Sequence, residues 1–129
     1  MKLASIDVGL KRIGVAICLD SNIVLPQDAI LRKNRNQAAC DVKTFLNEWE
    51  IEKLIVGVPL DADNSEEMER RIKHFVSLLE LNIEVAYQDE QNSSVEAKEL
   101  TQGVFRHKKD GKIDSIAAKI ILERYLSKK

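Results

Sequence analysis

Two short runs rich in Ile, Val and Ala, residues 2–8 and 12–19, are separated only by Gly9-Leu10-Lys11. That spacing folds the chain back on itself as an antiparallel hairpin with a glycine in its connection. A third strand is predicted over 24–31, and Pro26, which has no backbone N–H to offer a neighbour, assigns it to a sheet edge or a strand start. The period of the apolar residues then changes. Ala38, Val42, Phe45, Leu46 and Trp49 recur at helical spacing, and residues 53–58 form an apolar run of the kind buried on both faces. A second helix opens at Ser65 with Glu66 and Glu67, its predicted buried stripe being Met68, Ile72, Phe75, Val76 and Leu79, and a strand follows over 83–87. Ser93-Ser94-Val95-Glu96 has the form of a capping box and opens a third helix running through Val104. The last helix is predicted over 113–126, with Ile116, Ala117, Ile120 and Ile121 turned inward. The order β-β-β-α-β-α-β-α-α predicts an α/β fold: a mixed five-stranded sheet flanked by helices, its first three strands antiparallel, its last two parallel and its first strand central.

At 129 residues, 44% of them hydrophobic, the chain suits one well-packed core, and a single domain over 1–129 is expected. Lys and Arg (20) nearly cancel Asp and Glu (21), so net charge gives no argument for a nucleic-acid partner, and any such argument must rest on local patches. No apolar segment reaches membrane-spanning length and the first residues lack a cleavable leader pattern, so a cytoplasmic protein without a membrane partner is expected. Cys18 and Cys40 fall in no CxxC pair and near no histidine cluster, and read as reduced thiols, one in a strand and one in a helix.

Asp7 closes the first apolar run just before the glycine turn. A carboxylate there is costly unless something charged meets it, and a bound cation is a natural partner. Asp89-Glu90 follow the fifth strand, and Asp114 lies in the first turn of the last helix. Ligands in such sheets meet the carboxyl ends of the parallel strands, so three carboxylates from remote parts of the chain would share one cleft. This hard oxygen set favours Mg²⁺ or Mn²⁺, and a pair of such ions serves both the attacking and the leaving oxygen of a phosphodiester. Each acid also has a plainer role: Asp7 accepting turn amides, Asp89 capping a helix, Asp114 favouring a helix dipole. Lys11 and Arg12 at the turn, with Arg106, Lys108, Lys109 and Lys112 before the last helix, are candidate phosphate contacts or a solvated surface. His74 and His107 have no partners for a hydrolytic triad, and neither GxGxxG nor a P-loop is present.

The blocks Asp7-Val8-Gly9-Leu10-Lys11-Arg12-Ile13-Gly14-Val15-Ala16, Ile55-Val56-Gly57-Val58-Pro59-Leu60, Asp89-Glu90 with Ser93-Ser94-Val95-Glu96-Ala97, and Lys112-Ile113-Asp114-Ser115-Ile116-Ala117-Ala118 with Ile121-Leu122-Glu123-Arg124-Tyr125-Leu126 resemble, in order, the signatures of the YqgF family, also called the RuvX or Holliday-junction resolvase family. The resemblance spans nearly the whole chain. It implies a ribonuclease H-like fold and a small bacterial cytoplasmic nuclease acting in 5′-end maturation of pre-16S rRNA, with junction-DNA cleavage proposed for some relatives. By position it implies that Asp7, Glu90 and Asp114 are the catalytic carboxylates and metal ligands. The chain departs from the family at Leu10, where Thr is usual, in the glycine-free loop Asp61-Ala62-Asp63-Asn64-Ser65, and at Gln91, where an arginine ordinarily follows the acidic pair. The expected activity is therefore a metal-dependent endonuclease on structured RNA or branched DNA, the protein acting as monomer or homodimer. The rival readings are a non-catalytic nucleic-acid or ribosome-assembly module and an ATP site of the actin or sugar-kinase type, which needs a second lobe that a chain of this length lacks.

Overall fold

The computed structural model describes residues 1–19, 23–58, 65–89 and 112–127, with the side chains of Ser65 and of residues 112–114 outside that description. Strands β1 (Leu3–Val8), β2 (Arg12–Cys18) and β3 (Leu25–Leu31) pair antiparallel in succession, while β4 (Lys53–Val58) and β5 (Glu84–Asp89) extend the sheet in parallel from β1. Their order is β3-β2-β1-β4-β5, so β1 is central and β3, with Pro26, is an edge, as expected. The helices are α1 (Arg35–Glu48), α2 (Ser65–Leu78) and α3 (Lys112–Ser127). The helix predicted from Ser93 through Val104 lies outside the described residues.

Alternation along each strand divides the core in two. Ala4 and Ile6 of β1 pack with Val42, Leu46, Phe75 and Leu79 beneath α1 and α2, whereas Leu3 packs with Ala118, Ile121 and Leu122 beneath α3. Ala118 permits the close approach of α3 that its small side chain predicts: the buried Ser5 hydroxyl donates to the Ala118 carbonyl at 2.6 Å. On the outer side Lys53 Nζ lies 3.4 Å from Glu84 and over the Tyr125 ring. Tyr125 and then Glu84 hold that ammonium above the usual lysine range, burial working against them, and so tie β4, β5 and α3 together.

Helix α1 begins before its first apolar contact because Asn34 and Gln37 form a reciprocal cap: Asn34 Oδ1 accepts from the Gln37 amide (2.8 Å) and Gln37 Oε1 from the Asn34 amide (3.3 Å). Strand β5 runs on to Asp89 because its ladder with β4 continues through Gly57–Gln88 and Val58–Asp89. Met68, expected in the buried stripe of α2, is 46% exposed. Cys18 is buried in β2 and Cys40 exposed on α1, and both are free thiols. Among the described residues no helix is long and apolar enough to cross a membrane.

The β1–β2 turn leaves no room for a side chain at its glycine. The Gly9 amide donates to the Arg12 carbonyl at 3.0 Å, and a Cβ at Gly9 would lie 2.6 Å from that same backbone oxygen. Because the obstacle is backbone, Gly9→Ala must displace the turn. The variant is expected to lose about 1–3 kcal/mol in urea denaturation, the usual cost of forcing extra atoms into a packed site.

Candidate active site

Asp7 is half-buried and shares its strand parity with Leu3 and Ser5, which sets it on the α3 face of the sheet. Its partner across β2 is Gly14. On the other side the β1–β4 register pairs Ile6 with Val56, so the next residue, Gly57, is level with Asp7, and Gly57 is paired in turn with Gln88. The row Gly14–Asp7–Gly57–Gln88 thus holds an acid flanked by residues without side chains. The row lies on the face of the sheet that α3 covers.

Helix α3 is fixed over this face by two buried serines. β2 changes register against β3 between Ile13 and Val15, and the Val15 amide at that irregularity donates to Ser115 Oγ at 3.3 Å. One turn further along, Ala118 meets Ser5. Four residues of helix rise about 6 Å and two residues of strand about 6.8 Å. Stepping back from Ala118 to position 114 and forward from Ser5 to Asp7 therefore covers about the same distance, which brings the first turn of α3 toward the level of the Asp7 row. Ser115→Ala strips the Val15 amide of its buried acceptor. A loss of about 1–3 kcal/mol is expected from thermal or urea denaturation.

Gln88 is 4% exposed, and its Oε1 has no hydrogen-bond partner among the described residues. It shares parity with Glu84 and Ala86 on the α3 face, two strands from Asp7, a gap of about 9–10 Å that two side chains span from either end. A buried carbonyl oxygen without a donor is costly, and a hard cation or its bound water is the kind of partner that satisfies one. The oxygen chemistry of Asp7 and Gln88 suits a hard cation such as Mg²⁺ or Mn²⁺. Asp89 has the opposite parity, with Val85 and Tyr87 on the α1/α2 face, so it does not share the Asp7 face. Glu90, the next residue of the Gln88 parity, lies outside the described residues, as do Arg106, Lys108 and Lys109, and the side chains of Asp114 and Lys112. Among the described residues no three His, Cys, Asp or Glu side chains gather as a metal site. Of the two cations at the turn, Arg12 is half-buried with the parity of Gly14, on the Asp7 face, and Lys11 is exposed.

The opposite face carries a feature that the sequence reading missed. Where β1 runs out at Val8 and Gly9, a cavity of about 690 Å³ opens between the start of α1 and the outer side of α2. Arg32, Arg35, Arg70, Arg71 and His74 line it, with Glu67. Arg32 Nη1 donates to the Gly9 carbonyl at 2.8 Å and its guanidinium lies 5.5 Å from the centre of the buried Phe75 ring, so the cation braces the turn that follows Asp7. These arginines are scattered through the sequence and form no run. Arg70-Arg71 on the polar side of an amphipathic helix was the one local signal.

The family model described as "RuvX: Holliday junction resolvase" matches residues 1–128. A protein of Sulfurovum sp., provisionally named a pre-16S rRNA nuclease, is 80% identical over 98% of this chain and 99% of its own length. A Campylobacter jejuni protein with the same provisional name is 54% identical over 98% and 99%. Among solved structures, the RuvC of T. thermophilus in complex with a Holliday junction substrate superposes with a TM-score of 0.64 at 11% identity, covering 99% of this chain and 96% of that one. The fowlpox virus Holliday junction resolvase superposes at 0.62 with 16% identity and full coverage of both. These structural likenesses are likenesses of fold, and that fold is the ribonuclease H-like one expected. The family match and the close relatives go further: the chain belongs to the RuvX family.

Proposed function

We propose that this phosphodiester-hydrolysing enzyme is a divalent-metal-dependent endonuclease acting in 5′-end processing of pre-16S rRNA, with Asp7, Glu90 and Asp114 as its catalytic carboxylates and metal ligands. The observation that supports the reading is the matched spacing of β1 and α3, in which the contacts of Ser5 with Ala118 and of Ser115 with Val15 direct the start of α3 toward the end of β1 that carries Asp7. The RNA assignment is supported by the names of close relatives.

A divalent cation held by these carboxylates would polarise the phosphoryl oxygens and lower the pKa of an attacking water. The protein's own groups do the rest. Asp7 presents its charge from a strand end where both neighbours in its row, Gly14 and Gly57, lack a side chain. Gln88 Oε1 offers a buried acceptor in the same row, and Arg12, on the Asp7 face, offers positive charge to the non-bridging oxygens as they gain charge. Lys11 stands in the exposed turn beside it, and Arg106, Lys108, Lys109 and Lys112 precede or open α3 in sequence, as candidate contacts to flanking phosphates.

Cleavage of branched DNA is the second reading, favoured by the description of the family model. The two are separated by incubating the purified chain with a 5′-extended 16S precursor and, in parallel, with a four-way DNA junction, with Mg²⁺, Mn²⁺ or EDTA. Metal-dependent cuts at defined 5′ positions of the RNA are expected. Cleavage of the junction alone would move the assignment to DNA. Tight RNA binding without cleavage under any metal would make the chain a binding module.

A further inference from the structure

We propose that the arginine-lined cavity on the α1/α2 face is a second nucleic-acid site, one that seats a single-stranded segment beside the scissile phosphodiester. Its rim carries four arginines and His74 against one carboxylate, on a chain whose net charge is −1, so positive charge is concentrated here. Glu67 does not neutralise the rim. It is paired with Arg71 at 2.6 Å, but both side chains are more than half exposed, and such a pair opens readily. Arg35 and Arg70 have no acidic partner among the described residues. Helix α1 starts at Arg35 with no acid in its first turn, which leaves the positive end of its dipole uncompensated by a carboxylate.

The floor is apolar. Val8, Ile72 and Met68 line the same cavity, Met68 at 46% exposure, and Leu10, 81% exposed, adds an apolar side chain at its rim. An apolar floor inside a cationic rim fits a nucleobase with a phosphate on either side of it. It fits a duplex poorly, since paired bases cannot reach the floor. Single-strand sites in general combine a basic track with apolar or stacking platforms. At about 690 Å³ the cavity falls within the range of small-ligand clefts, about 300–1,000 Å³. Its position gives it a use: it shares the Gly9-Leu10 turn with the end of β1, so a strand seated here passes over the end of that central strand to the Asp7 face. Arg32, bonded to the Gly9 carbonyl, links the two.

What the bound strand is for rests on the nuclease reading, but the binding can be scored without it. Anisotropy of a fluorescein-labelled single-stranded oligoribonucleotide is measured in EDTA, where no cleavage occurs, for the unmodified protein, Arg35→Ala/Arg70→Ala and Arg35→Lys/Arg70→Lys. The alanine pair is expected to weaken binding about tenfold and to lower the slope of log K against log salt by about 1.4, or 0.7 for each lost phosphate contact on a single strand. The lysine pair is expected to retain most of the affinity. Met68→Glu, which adds a carboxylate to the floor, is expected to weaken binding comparably, and all three positions are exposed enough for the melting temperature to hold. Unchanged affinity and salt slope in the alanine pair would overturn the proposal, even if cleavage in Mg²⁺ is normal. Equal binding of a duplex, or full competition by a nucleoside monophosphate at concentrations matching the oligonucleotide, would also overturn it. A DNA strand bound as well as the RNA supports the site and assigns it to phosphate and base alone. A protein that cleaves nothing yet shows the arginine dependence keeps the groove and loses the nuclease reading.

Discussion

Asp7→Asn lowers the rate of metal-dependent cleavage by more than about a hundredfold, since even groups that only orient a metal's ligands cost about 10–100-fold when changed. Asparagine keeps the size of aspartate and one acceptor oxygen, so the substitution removes charge and little else. Thermal stability separates this role from the plainer one. If Asp7 serves only the turn, accepting its amides, the variant melts lower and cleaves normally. If Asp7 belongs to a cluster of carboxylates, the metal-free variant melts no lower than the parent, because one negative charge has left a crowded pocket. The expected pair of results is therefore activity lost and stability kept, checked by precursor cleavage in Mn²⁺ and by melting in EDTA.

Phe75→Ala is the most damaging core substitution expected, at about 3–5 kcal/mol in urea denaturation, the usual cost of deleting a buried aromatic ring. Phe75 is 1% exposed, the largest of the fully buried side chains among the described residues, and sits where α2 meets the sheet. With total stabilities of about 5–15 kcal/mol for ordinary domains, such a loss leaves a small margin. The ring also lies beneath Arg32. Phe75→Leu separates the two contributions: it refills much of the volume and recovers much of the stability, but offers the guanidinium no π face. Oligonucleotide binding in the leucine variant is expected to stay below that of the parent while its urea midpoint approaches it. Equal binding would remove the ring from any part in bracing Arg32.

The sheet was legible because its signals are local. Residues 53–58 could be little other than an inner strand, Pro26 restricted its strand to an edge or its own position to a strand start, and the hairpin followed from the gap between 8 and 12. Capping was half legible. The Asn34–Gln37 box escaped a reading anchored on apolar recurrence, which begins only at Ala38. Met68 fits the helical period yet stays half-open, because periodicity says which face a residue takes and not whether anything covers the end of that face. For the site, Asp7 was visible as a polar stop on an apolar strand. Gln88 and the arginines of the cavity were not, since their meaning depends on register across strands and on which helices share an edge. The opposite parities of Asp89 and Gln88 follow from simple alternation once β5 is known to continue past Tyr87.

The unequal burial of the two thiols provides an experimental handle. A maleimide reagent meets Cys40 on the outside of α1 and leaves Cys18 untouched inside β2. Five residues of helix separate Cys40 from Arg35, about 7.5 Å along the axis. A paramagnetic tag attached to the unaltered sequence therefore broadens the resonances of whichever end of a bound oligonucleotide rests near α1, and reports the polarity with which it threads.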